Sequence, residues 1–242
     1  GGLSASQLSR RYLDHCGHSL FSSICLSKNG ATWSRQFTID YFESEIKSFL
    51  NEKKSNVIVG TVIGFHEGIY SVDEKLAQAP VIPYAEGRLV LLLPLNSPLK
   101  TDPTMRDLAA AIQDGRLRQF AIANPGVAPY GMRARETLIH RGVWPQIQPR
   151  LVIGENVGQA AQFASSGAAQ GGLVALSLAL APEVASRTRY TLVPREWHQP
   201  LVQGMVLIQP ENPAAKALAD YLKTETARAV LKKYGYDEVR GR

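Results

Sequence analysis

The sequence predicts an α/β protein with mostly parallel sheets. From about residue 80 onward, short β-rich runs alternate with helical stretches of about ten residues, the pattern that builds parallel sheets through helical crossovers. Leu89 to Leu93 is an unbroken apolar run, as in a strand covered on both faces. Helix start and stop signals punctuate the chain: Asp102-Pro103 and Asn212-Pro213 read as starts, and Gly115, Gly142, Gly167 and Gly235 as stops.

Taken in order, residues 1–79 read differently from the rest. Leu8 to His15 reads as a helix ended by Gly17, Tyr41 to Lys53 as an amphipathic helix and Asn56 to Phe65 as a strand. After the Leu89 strand, Asp102 as N-cap and Pro103 at the first position predict a helix to about Gln113. Phe120 to Ala123 reads as a strand, broken by Asn124-Pro125-Gly126, and Met132 to Arg141 as a helix. The unit recurs with a strand at Arg150 to Ile153, a helix at Val157 to Ser165 and a strand at Gly172 to Ala175, followed by the segment Leu176 to Leu180. Tyr190 to Val193 and Val202 to Ile208 read as strands on either side of a Trp197-His198-Gln199-Pro200 loop. A final helix is expected from Pro213, capped by Asn212, with Leu218, Tyr221, Leu222, Val230 and Tyr234 as its apolar stripe.

Composition narrows the function classes. The chain has 242 residues, 45% of them hydrophobic and 20% charged, which excludes wholesale disorder and allows one large domain or two lobes. The longest apolar runs, Leu89 to Leu93 and Val57 to Phe65, fall far short of the ~20 residues a bilayer requires. A net charge of +6 suits nucleic acid, an acidic surface or a small anion without choosing among them, but the basic residues are dispersed and not interleaved with aromatics. Cys16 and Cys25 are too few for a disulfide scaffold; two buried free thiols are the expectation, with a single bridge in an oxidising compartment as the other reading. A first residue that is Gly, with no charged-then-apolar leader after it, reads as a processed or truncated product.

Catalytic templates fail. The sequence lacks GxSxG, GxxxxGK[ST] and GxGxxG, and His66-Glu67 lacks the second His of a zinc protease helix. His15 and His18 lie close together, but their spacing fits no metal pattern. Two strand-to-helix turns stand out instead: Asn124 to Gly131, and Gly154-Glu155-Asn156-Val157-Gly158. In open α/β sheets, ligands gather at the carboxyl ends of strands, where helix N-termini offer free N–H groups and a positive dipole end to an anion. Such turns also occur in every fold of this kind as simple connections.

Several segments resemble the periplasmic molybdate-binding proteins of ABC transporters. These are Ile122-Ala123-Asn124-Pro125 with Ala128-Pro129-Tyr130-Gly131, and Leu151-Val152-Ile153-Gly154-Glu155-Asn156-Val157 with Gln159-Ala160-Ala161-Gln162-Phe163. Ser166-Gly167-Ala168-Ala169, Leu173-Val174-Ala175-Leu176-Ser177, Trp197-His198-Gln199-Pro200-Leu201 and Lys233-Tyr234-Gly235-Tyr236 continue the resemblance, and Tyr84 to Leu91 resembles the family's crossover strand. The likeness runs through residues 76–242 in order. It implies a two-lobed type II periplasmic binding protein-like fold with two chain crossovers. Residues 1–84 and 200–242 would form the first lobe and residues 85–199 the second.

The resemblance further implies a tetrahedral oxyanion, molybdate or tungstate, held by uncharged donors and delivered to an ABC permease outside the cytoplasm. Catalysis, cofactor and nucleic acid have no part in that picture, and the protein acts as a monomer. Main-chain donors would fall at Tyr130 and Val157, and Thr32, in a partial echo of the family's hydroxyl loop, would supply a hydroxyl. Where some members use a tyrosine hydroxyl, this chain has Ala175, which cannot donate. Residues 19–75 match nothing in the family, as a divergent lobe or a slipped reading frame would produce. Two other readings follow: a binding fold whose first lobe is impaired and binds weakly or not at all, and an enzyme or regulatory effector domain on the same scaffold.

Overall fold

The computed structural model describes residues 78–207 and 213–239. The chain divides into two compact units, passing from one to the other at Glu86/Gly87 and back at Leu201/Val202. The second unit comprises Gly87–Leu201 together with Tyr234–Tyr236, and the described residues of the first are 78–86, 202–207, 213–233 and 237–239. The expectations for Thr32, Cys16, Cys25, His15, His18, His66 and the Asn212 cap, and the elements read before residue 78, lie outside the described residues.

The second unit is built on a five-stranded sheet of β2 (Leu89–Pro94), β3 (Phe120–Ala123), β4 (Leu151–Gly154), β5 (Gly172–Ala175) and β6 (Thr188–Leu192), in the order β4-β3-β5-β2-β6. β3 runs parallel to β4 and β5, whereas β2 runs antiparallel to both β5 and β6. Four of the five strands therefore share a direction, the mostly parallel sheet that the alternating pattern predicts. The apolar run of β2 occupies a central place and every one of its residues is buried, as are those of β3 and β5. Complete burial of three adjacent strands means that helices cover both faces. The edge strands β4 and β6 are only partly covered.

The helices of this unit are α1 (Arg106–Gln113), α2 (Pro129–His140), α3 (Trp144–Ile147), α4 (Val157–Ser166), α5 (Leu176–Ala179) and α6 (Pro182–Ala185). Two of them start elsewhere than the sequence predicts. Asp102 does not cap a helix at Pro103. Its carboxylate instead accepts hydrogen bonds from the Thr104 and Arg106 amides, both at 2.8 Å, and holds a turn that ends with Met105 at φ 52°, so α1 begins only at Arg106. α2 begins at Pro129, three residues ahead of the expected Met132, because a proline fits the first helical position, where no N–H is required. Gly142 and Gly167 follow α2 and α4 with φ 68° and 83°, the left-handed stop for which glycine is suited.

In the first unit, β1 (Gln78–Gly87) pairs with β7 (Leu201–Leu207), and Glu86 bridges to Asp237 through reciprocal N–H···O bonds of 2.8 Å. The expected single C-terminal helix is two, α7 (Pro213–Tyr221) and α8 (Glu225–Lys233). Thr224 makes the break. Its hydroxyl donates to the Tyr221 carbonyl at 2.7 Å and accepts from the Ala227 amide, ending one helix and capping the next. No helix among the described residues is long and apolar enough to cross a membrane.

Candidate functional site

The two turns singled out in the sequence meet at one end of the sheet. β3 and β4 are parallel neighbours whose final residues, Ala123 and Gly154, are in register. The Asn124 amide then donates to the Gly154 carbonyl at 2.7 Å, tying the turn after β3 to the turn after β4. Because both strands end together, α2 and α4 both present their N-termini at the carboxyl edge of the sheet.

Each turn is shaped by close backbone approach. The Asn124 side chain accepts from the Gly126 amide at 2.9 Å, and the Asn124 carbonyl accepts from the Val127 and Ala128 amides. Gly131 lies against the end of β3, where an added Cβ would come within 2.7 Å of the carbonyl carbons of Ala123 and Asn124. In the second turn, the Asn156 side chain caps α4 by accepting from the Gln159 amide at 2.9 Å, while the Gln159 side chain accepts from the Glu155 amide at 2.7 Å. A Cβ on Gly154 would stand 2.7 Å from the Ala160 nitrogen, so strand and helix meet through glycine.

Tyr130 is the second residue of α2 and Val157 the first of α4, both with buried side chains. First-turn amides have no acceptor within their own helix. In α4 the capping bond satisfies the Gln159 amide and the helix itself the Ala160 amide, and Val157 and Gly158 are the two residues of the first turn that precede them. In α2 the first position, Pro129, carries no N–H at all. The only acidic residue in the two turns, Glu155, is exposed, and neither turn holds a basic residue. Ala175 ends β5 in the same sheet, fully buried and with no side-chain donor. The arrangement can present neutral N–H groups to an anion. Among the described residues, no group of three potential metal ligands occurs.

The profile of the bacterial extracellular solute-binding protein family matches residues 69–237, well over half of the chain. The chain belongs to that family. Within it, the chain is 38% identical over 155 residues to the molybdate-binding protein ModA of Rhodobacter capsulatus and 36% identical over 155 residues to ModA of Azotobacter vinelandii. Each alignment covers 63% of this chain; it spans 58% of the first relative's length and 59% of the second's, under two thirds of either. The solved structure of the Azotobacter vinelandii periplasmic molybdate-binding protein superposes with a TM-score of 0.67 at 25% identity, covering 85% of this chain and 96% of that one. The family's periplasmic binding protein-like fold is thus the fold of this chain.

The family resemblance points to Tyr130 and Val157 in the two helix-start turns, but nothing in the sequence shows what holds those turns in place. The Asn124-to-Gly154 bond is between main-chain atoms and leaves no side-chain signature. Gly131 was legible in principle, since a glycine in the first turn of a helix marks a backbone held close to another. Starting the helix at Met132 assigned it to a loop instead.

Proposed function

We propose that this protein captures molybdate or tungstate and passes it to an ABC permease outside the cytoplasm, without catalysis and as a monomer. The observation that carries the reading is the pair of helix starts joined by the Asn124-to-Gly154 bond, in a chain 38% identical to a molybdate-binding protein. The amides of Tyr130 and Val157 donate to the anion, and Thr32 adds a hydroxyl. Neutral donors favour a fully ionised tetrahedral dianion. A protonated oxyanion would bury an O–H with no acceptor, a cost of about 1–3 kcal/mol. Helix-terminal dipoles supply the positive potential that a lysine or arginine supplies elsewhere.

The test is thermal unfolding with molybdate, tungstate, sulfate and phosphate in turn. Ligand at a hundred times its Kd stabilises the native state by about 2.7 kcal/mol. Molybdate and tungstate are expected to raise the melting temperature, and phosphate, which keeps a proton near neutral pH, is not; the sulfate arm reads how the site ranks a smaller dianion. An unchanged melting temperature with millimolar molybdate and tungstate overturns the reading. Thr32→Ala, assayed by titration calorimetry, is expected to weaken binding without abolishing it.

A further inference from the structure

Gly87 is the residue at which the chain enters the second unit, and Leu201 the residue at which it leaves. The two flank one side chain. A Cβ added to Gly87 would overlap the Tyr130 hydroxyl and stand 3.2 Å from Tyr130 Cζ, with Leu201 Cβ at 3.4 Å. Gly87 is buried and its φ is not in the left-handed region, so backbone conformation does not demand glycine there. Space does. The Tyr130 phenol occupies the volume that any other residue at position 87 would fill.

Tyr130 is therefore gripped at both ends. Its ring is 1% exposed and seated over Gly87, while the next residue, Gly131, is pressed against the end of β3. A buried aromatic ring has only two torsions and sits in a close-packed interior, so a shift of its hydroxyl is passed on to its own backbone.

We infer that the Tyr130 side chain is a positioning residue: seated in the space that Gly87 leaves open, it fixes the direction of the Tyr130 amide at the anion-binding turn. This inference rests on the oxyanion-binding reading above for its functional consequence, but not for its geometry. The turn is referenced, through this ring, to the two residues where the chain crosses into and out of the unit.

Gly87→Ala forces the ring off its seat, and Tyr130→Phe removes the atom that would overlap most. In the full chain, Gly87→Ala is expected to raise the molybdate Kd about tenfold or more, the loss that follows when a hydrogen bond to a charged group is misaligned. Adding Tyr130→Phe to Gly87→Ala is expected to recover most of that loss, a coupling that general destabilisation by the alanine would not produce. Amide spectra of 15N-labelled protein without ligand supply an independent readout. The Tyr130 and Gly131 cross-peaks should move in Gly87→Ala and return toward their original positions in the double variant. Unmoved cross-peaks, or a double variant that binds no better than Gly87→Ala, overturn the positioning role. Cross-peaks that move and return in a protein that fails to bind molybdate uphold the positioning role and overturn the oxyanion reading instead.

Discussion

Gly131 shows how much a single missing methyl can decide. A Cβ there would overlap the carbonyl of Ala123, the last residue of β3, and crowd that of Asn124, so alanine requires the backbone to shift. Gly131→Ala is expected to cost about 1–3 kcal/mol, the usual effect of overpacking a filled site, read from urea denaturation. The same displacement carries the neighbouring Tyr130 amide with it, so the oxyanion Kd should rise as well. His198 answers to pH. Its Nδ1 meets the Gln199 carbonyl at 2.7 Å and its Nε2 is buried among the described residues without a partner. Burial holds its pKa below the usual 6.5, reinforced by Arg133 and Arg88 and opposed by the Gln199 contact and Glu136. The folded state thus takes up the proton less readily than the unfolded chain. The stability His198 confers is fully present above pH about 6.5 and is lost as pH falls toward its lower folded value. Melting temperatures measured from pH 8 down to pH 5 should fall along this limb for the parent protein and less steeply for His198→Gln.

The elements owe their positions to a few capping groups. Asn156 starts α4, and its loss leaves the Gln159 amide unpaired at the turn. Asn156→Ala is expected to destabilise the protein by about 1 kcal/mol in chemical denaturation, typical of a lost N-cap. It should also weaken oxyanion binding, since the Val157 amide is the next group along. Arg189 works at the far end of the sheet. Its guanidinium donates to the carbonyl groups of Pro94, Leu95, Ser97 and Leu99, fixing the segment that leaves β2. Arg116 does similar service for α1 by pairing with Asp107 and Asp114. Their hydrogen bonds to Arg116 hold both carboxyl groups below the ordinary aspartate value. These two arginines are committed to structure, which removes them from any account of the surplus positive charge as a ligand site.

At the scale of the molecule, a net charge of +6 invites the idea that cations hold the anion. Neutral amides as donors lead to a different expectation. The molybdate Kd measured by calorimetry should change by only a few-fold as salt rises from about 0.05 M to about 0.5 M, because screening acts on charged side chains far more than on short hydrogen bonds from neutral amides. A tenfold or greater loss of affinity over that range would assign the grip to basic side chains. The α/β alternation, the buried run of β2 and the two strand-to-helix turns were all legible in the sequence, because periodicity, proline and glycine act locally on the backbone. Three features were not. α2 begins at Pro129 and not at Met132, the C-terminal helix breaks at Thr224, and Asp102 holds a turn in place of capping a helix. In each, a choice between two acceptable local patterns depends on which neighbours a hydroxyl, a carboxylate or a backbone can reach once the chain is packed. The site follows the same division. Residue type and spacing mark the two turns as helix starts, and the family resemblance singles out Tyr130 and Val157 within them. That the two starts lie side by side depends on β3 and β4 pairing in register and on one main-chain hydrogen bond from Asn124 to Gly154, a long-range contact between atoms that every residue possesses.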